Sequence, residues 1–294
     1  MSPSQFKKHE NISKSNWHNL IIDEEEISNT KLYLYSFYEY LFNGKIGAPV
    51  HENLRNGAKV LEFCSEGAVW SKEVAAEYPN SKFYAIDSII LSLTDEIKNL
   101  TLIGCDIFKK LPFLDNEFDY IFSTGEILFT EKNLFREVLS EIFRVLKPGG
   151  WLEVIYTYNS DVAYGPAYTR LNNAWNSWFK AQNIDDDILK NFENYLEETE
   201  KTESISHRIE EIQVGSDHAS GEFLLEIVLL FYRNVRNEFA HLMNISLEEF
   251  DDLVNQFESE LNGKDSKVIL SHKQVLAKKK CTHSDISSTV SSTK

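Results

Sequence analysis

The chain has 294 residues, 42% of them hydrophobic, with 19 Phe, 13 Tyr and 5 Trp and a formal net charge of −16. That is enough apolar material for one large domain, or one domain with an appended helical region. The negative charge repels phosphate backbones and anionic lipid, which argues against unspecific nucleic-acid or membrane-surface binding. Cys64, Cys105 and Cys281 are too scattered for a metal site or a disulfide framework, as suits a reducing compartment. No apolar run has signal-peptide or membrane-span length, so a cytoplasmic or nuclear protein is expected rather than a secreted one.

In chain order, residues 1–28 are polar, end in the acidic run Asp23–Glu26 and read as a flexible arm. Lys31–Phe42 carries aromatics on more than one helical face, which predicts a helix packed on both sides. Ala58–Phe63 is a short strand, and Ala68–Tyr78 a helix stopped by Pro79. Strands follow at Lys82–Asp87, Thr101–Asp106 and Phe118–Ser123. In the segment 133–146, Leu134, Val138, Ile142 and Leu146 recur on one helical stripe, and Gly149 or Gly150 is available as a left-handed cap. Trp151–Tyr158 is a fifth strand.

The second half changes character. Helices are expected over Ala167–Gln182, Asp187–Thr199, Gly221–Met243 and Ser246–Leu261, the last with Ser246 and Glu249 in capping-box spacing. Strands are expected at His207–Val214 and Lys267–Lys278. The tail 279–294 lacks periodicity and reads as disordered. Alternating strands and helices imply a mostly parallel sheet covered on both faces, with ligands beyond the carboxyl ends of the strands. The positions to inspect are therefore 62–68, 87–88, 105–107 and 123–126.

Four stretches, in order, carry a resemblance: "GAKVLEF", "FYAIDSI", "GCDIFKKLPFLDNEFDYIFS" and "EIFRVLKPGGWLEVIY". Together they resemble the class I S-adenosylmethionine-dependent methyltransferases, most of all a fungal branch of small-molecule or protein-modifying members. The resemblance implies a Rossmann-like α/β fold. Its sheet would be seven-stranded and mostly parallel, with helices on both faces and inserted helices in the C-terminal half. The domain would span 29–278, with a cofactor half at 29–158 and a substrate-cap half at 159–278.

It also implies roles. Asp87, with Ser88 after it, would take the ribose hydroxyls of S-adenosyl-L-methionine; otherwise Asp87 is an exposed acidic turn residue. Asp106 and the Ile107 N–H would meet the adenine, or Asp106 simply caps a turn. Glu62, a carboxylate inside an apolar strand, needs partners and would brace the following loop. The loop runs Cys64-Ser65-Glu66-Gly67-Ala68, and the family's glycines fall at Cys64, Glu66 and Ala68. Glu66 brings a charge towards the cofactor's carboxylate, a repulsion of roughly 4 kcal/mol near 4 Å at intermediate dielectric. Ser123–Glu126 would face the transferred methyl, with Glu126 either a base or a dipole-stabilised helix-start carboxylate.

The expected activity is direct in-line methyl transfer to a small molecule or a protein, which needs positioning more than covalent help. The alternative is a catalytically inactive pseudo-methyltransferase serving as a scaffold or regulatory module, suggested by the substituted loop. A nicotinamide-dependent dehydrogenase fits less well, since it too needs a glycine loop. Tyr35, Tyr38, Tyr156, Tyr158 and Tyr164 are either core or an aromatic pocket around a cation. The histidines show no metal pattern, and His51 reads as a surface residue.

Overall fold

A computed structural model describes residues 24–63, 68–87, 97–159, 164–262 and 267–281, with only the backbone of 24–29. Helix α1 (Glu24–Phe42) begins inside the segment assigned to the arm. Next come α2 (His51–Asn56), β1 (Lys59–Phe63), α3 (Val69–Glu77), β2 (Lys82–Asp87), β3 (Leu100–Gly104) and β4 (Phe118–Ser123). A 3-10 turn at Glu126–Leu128 leads to α4 (Phe135–Val145) and β5 (Leu146–Asn159). Beyond lie α5 (Pro166–Ala181), α6 (Asp187–Lys190), α7 (Phe192–Glu198), β6 (Thr202–Gln213), α8 (Ala219–Asn234), α9 (Arg236–Met243), α10 (Leu247–Leu261) and β7 (Ile269–Lys279).

The strands form one seven-stranded sheet in the order β3-β2-β1-β4-β5-β7-β6. Strands β1 to β5 pair in parallel, and β7 runs antiparallel to both β5 and β6. The order reverses between β1 and β4, so the carboxyl ends of those two strands flank a topological switch point. Helix α4 shows why the sheet is covered. Val138 and Ile142 lie on its apolar stripe, as expected, and both are buried with Phe135, Leu139 and Phe143.

Several boundaries differ from the sequence reading. The third strand stops at Gly104, because Asp106 turns back to accept from the Phe108 N–H at 3.0 Å. Helix α4 ends on an extended Leu146, so neither glycine of the Lys-Pro-Gly-Gly turn caps it. Gly149 takes φ 76° inside β5, where the pairing with β4 shifts register between Phe118 and Tyr120. A Cβ on Gly150 would lie 2.9 Å from the Asp119 carbonyl oxygen, so glycine is needed for close approach to β4.

The segment 187–199 is two short helices broken at Asn191, and the long apolar helix breaks at Val235 into α8 and α9. Strand β6 starts earlier than expected, at Thr202, because it pairs along β7 from Lys279 to Ile269. β7 itself includes Lys279, the first residue assigned to the tail. The Ser246–Glu249 capping box on α10 is present in both directions. His51 is exposed on α2 and bonds the Tyr78 hydroxyl at 2.7 Å.

Among the described residues, no helix is long and apolar enough to cross a membrane. No group of His, Cys, Asp or Glu among them could hold a metal ion.

Candidate functional site

The strand tips on either side of the switch point carry carboxylates. Glu62 is the penultimate residue of β1, Asp87 the last of β2, and Glu126 follows the turn after β4. All three are buried. Burial pushes the Glu62 carboxyl up to about 7, and the charges of Glu126 and Asp87 push the same way. The Ser71 N–H, in the first turns of α3, donates to Glu62 at 3.1 Å and opposes that rise. Glu62 thus braces the start of α3, in an environment that a cation would relieve; residues 64–67 of the loop it was expected to brace lie outside the described residues.

Asp87 pairs in register with Gly104, and the Cys105 N–H donates to the Asp87 carbonyl at 2.9 Å. Asp87, Asp106 and Ile107 therefore share one edge of the sheet. Asp106 accepts from Phe108 N–H and from Lys109 Nζ at 3.1 Å, so it does cap a turn, and Ile107 beside it is buried. Burial also pushes the Cys105 thiol up to about 11, so it is a filler rather than a nucleophile. The candidate positions Cys64, Glu66, Gly67 and Ser88 lie outside the described residues.

Ala68 is the loop position that is described. It has φ 50° and is fully buried at the start of α3. That left-handed conformation is one reason a glycine suits such a loop, and an alanine holds it at a cost of roughly 1–2 kcal/mol. Trp70, on the first turn of α3, stacks on Phe122 of β4 with centroids 4.3 Å apart and donates to the Lys45 carbonyl at 2.7 Å. This contact pins α3 against the sheet.

The turn after β4 is closely knit. Ser123 Oγ donates to Glu126 at 3.2 Å and accepts from the Gly125 N–H at 3.2 Å. Thr124 Oγ1 donates to Glu126 at 2.8 Å, and Lys31 Nζ on α1 bonds it at 3.1 Å. The carboxylate both starts the 3-10 turn and anchors a lysine from another element. Gly125, at φ 95°, packs so close to Tyr156 that a Cβ would lie 2.9 Å from the tyrosine's own.

Next to this turn opens a cavity of about 490 Å³ between α1, the ends of β5 and β7, and helices α5, α8 and α10. Its wall is mostly aromatic and aliphatic: Trp175, Phe179, Leu224, Phe231, Tyr232 and Phe257 among others. Trp175 packs edge-on to Phe231, and Tyr168 stacks on Phe257. Tyr38 and Tyr156 belong to the core and to the cavity wall at once, Tyr158 lines the wall and packs on the core, and Tyr35 is core. Tyr164 packs on the core from outside.

Sequence reasoning did not find the polar chain that runs inward from this wall. The Tyr38 hydroxyl and Thr157 Oγ1 are 2.8 Å apart, and Thr157 Oγ1 is 2.7 Å from His272 Nδ1. Burial lowers His272 to about 3, so the imidazole is neutral, and its Nε2 has no hydrogen-bond partner. Lys31 was also missed. No local pattern marks either, since each becomes a site residue only by meeting a distant strand or turn.

A seven-stranded sheet in this order, reversing between β1 and β4 and carrying one antiparallel strand, is the fold of the Rossmann-like class I methyltransferases. Residues 60–150 match a family model described as a methyltransferase domain. The chain is 30% identical over 132 residues to a demethylmenaquinone methyltransferase of Listeria welshimeri, covering 42% of this chain and 53% of that protein. It therefore spans about half the length of the curated relatives it matches. Among solved structures, phosphoethanolamine N-methyltransferase 2 of Haemonchus contortus aligns with a TM-score of 0.51 at 17% identity, over 89% of this chain and 61% of that one. A protein named as a methyltransferase of an antibiotic biosynthesis pathway in Anabaena variabilis aligns with a TM-score of 0.52 at 12% identity, over 88% and 98%.

Proposed function

We propose that this protein transfers a methyl group from S-adenosyl-L-methionine to a small-molecule acceptor by in-line displacement. The observation that carries this reading is the gathering of three buried carboxylates at the β1, β2 and β4 tips, with an apolar cavity opening next to the turn after β4. A cofactor bearing a sulfonium and an ammonium suits that charge, because a cation offsets the burial that raises Glu62 and the smaller repulsion from Glu126 and Asp87. When bound, the cofactor supplies an electrophilic methyl on a cationic sulfur.

In this reading Asp87 accepts from the ribose hydroxyls, while Asp106 and the Ile107 backbone face the adenine. The 62–68 segment surrounds the amino-acid tail, and 123–126 borders the methyl. The halves divide as 29–158 for the cofactor and 159–278 for the acceptor. The cap encloses the cavity on several sides, which favours a small molecule over a folded protein as acceptor. Demethylmenaquinone, named for the curated relatives, is one apolar candidate.

The test is a thermal shift and titration with S-adenosylmethionine and its demethylated product. The midpoint should rise with ligand. Asp87→Ala should weaken binding at least tenfold, or about 1.4 kcal/mol. No shift at millimolar ligand would favour a protein that keeps the fold without the cofactor.

A further inference from the structure

The two edges of the sheet are built differently. At one edge, β3 has five residues. At the other, β6 has twelve and pairs with β7 on its inner side. No strand lies beyond β6 among the described residues. A long open edge offers a row of outward backbone N–H and carbonyl groups, which proteins commonly protect with Pro, Lys or a bulge. Thr202–Gln213 contains neither Pro nor Lys, and its register shift against β7 falls at Thr202–Ser204, clear of the middle. Residues 206–209 in that middle are exposed, and Ile209 is a large apolar side chain 40% open to solvent.

The charges along this edge are antisymmetric about Ile209. His207 and Arg208 precede it, and Glu210 and Glu211 follow it. When two copies of one strand pair antiparallel about a twofold axis, each residue before the axis faces the residue equally far after it. Directly opposite residues lie on the same face of the sheet, so the axis falls on a residue rather than between two. With the axis at Ile209, Arg208 of each copy faces Glu210 of the other, His207 faces Glu211, and the two Ile209 side chains meet. An axis at Arg208 sets arginine against arginine. One at Glu210 or Glu211 sets glutamate against itself, and one at His207 sets Glu203 against Glu211. Of these registers, only that on Ile209 opposes unlike charges without opposing like ones.

We propose that the outer edge of β6 is the docking surface for a second copy of this chain, paired antiparallel about Ile209 so that the two sheets become one. Arg208 already bonds Glu210 of its own strand through Nε at 2.9 Å and reaches the Leu41 and Phe42 carbonyls. His207 Nδ1 lies 3.0 Å from Glu193. The pair keeps these contacts, and Arg208 and Glu210 of both copies close into a ring of alternating charge. Opposite charges directly across a strand pair stabilise it, and like charges destabilise it. A chain of net charge −16 repels its own copies, so a local match makes association selective for this edge. None of this depends on the methyltransferase reading.

Analytical ultracentrifugation of the full chain over a concentration series should show a reversible dimer. Arg208→Glu and Glu210→Arg should each raise its dissociation constant about tenfold or more. Mixed together, the two variants should associate with each other, because positions 208 and 210 then oppose unlike charges in both directions. The double variant Arg208→Glu with Glu210→Arg should recover the native dimer for the same reason. Ile209→Lys, at an exposed position, should abolish the dimer while leaving the fold intact by circular dichroism. It still discriminates should loss of the Leu41 and Phe42 contacts unfold Arg208→Glu. A chain that stays monomeric at every concentration overturns the proposal, whether the edge is bare or covered by residues of the same chain. So does a dimer that Glu210→Arg and Ile209→Lys leave intact, which would lie on another surface.

Discussion

Two buried carboxylates stand in the same sheet, in neighbourhoods of opposite kind. Glu153, in the middle of β5, is surrounded by neutral donors. It accepts from the Gly47 and Ala48 N–H groups, from the Tyr120 hydroxyl at 2.7 Å and from Gln274 Nε2 at 2.8 Å. A Cβ on Gly47 would come within 2.4 Å of Gln274 Nε2, so a larger residue there would displace the amide that bonds Glu153. Glu62, at the tip of β1, shares its surroundings with Asp87 and Glu126. The first arrangement binds the segment after α1 to the sheet. The second gathers three carboxylates at the strand ends, with Lys31 already paired to one of them, Glu126. Burial alone does not tell an anchor from a binding group; the sign and kind of the neighbours do.

The widest separation between the two should come from removing each carboxylate. Glu153→Ala leaves several buried donors unsatisfied and should cost on the order of 3–5 kcal/mol by denaturant unfolding. Glu62→Ala should cost less than half of that, since it also removes like-charge repulsion. Similar losses in the two variants would erase the distinction.

A pH series sharpens it further. Burial raises the Glu62 carboxyl from the ordinary value of 4.5 to about 7 in the folded protein. The folded state therefore binds more protons than the unfolded chain between those values. Its contribution to stability is present below pH 4.5 and declines as pH rises to about 7, by about 3 kcal/mol at most. Glu62→Gln should flatten that slope in melting experiments, whereas binding of a cationic cofactor to the native protein should strengthen over the same range. A native slope that survives Glu62→Gln would assign the titration elsewhere, with Glu153, also raised by burial, the next to examine.

A third carboxylate extends the comparison into the cap. Glu260 on α10 accepts from the Ala167 and Tyr168 N–H groups at 2.8 and 3.0 Å, capping the start of α5 over the cavity. Glu260→Gln should cost about 1 kcal/mol, because the charge at a helix N-terminus is lost while hydrogen bonding is kept in part. The smallest change is expected for Ala68→Gly. Relief of the left-handed backbone is offset by the lost burial of a methyl group and by chain entropy, leaving stability within about 1 kcal/mol of native. A gain in cofactor affinity in that variant would show that the methyl group obstructs the loop.

Much of the segment 29–158 was legible from local pattern. Val60, Leu61, Phe63, Phe83, Ile86, Ile121 and Phe122 sit in short apolar runs that can only be buried strands, and the runs end in the acidic positions that a parallel sheet collects at one edge. The helical breaks at Asn191 and Val235 were not legible, because hydrophobic periodicity continues through them and only packing under the cap requires the bends. Glu153 carried the same mark as Glu62, an acid inside an apolar strand, yet its role depends on Gly47, Tyr120 and Gln274, three residues far away in sequence.

Taken by itself, the order of residues determined the alternation of strands and helices, the parallel sheet and the edge at which Asp87 and Asp106 meet, because period and turn chemistry act over a few residues. The tertiary structure decided that Lys31 reaches Glu126, that Tyr38, Thr157 and His272 form one chain, and that aromatics from α5, α8 and α10 enclose a cavity instead of filling it. Those outcomes depend on contacts between segments distant in the chain, whose geometry is set by the packing of whole elements and leaves no periodic trace in the sequence.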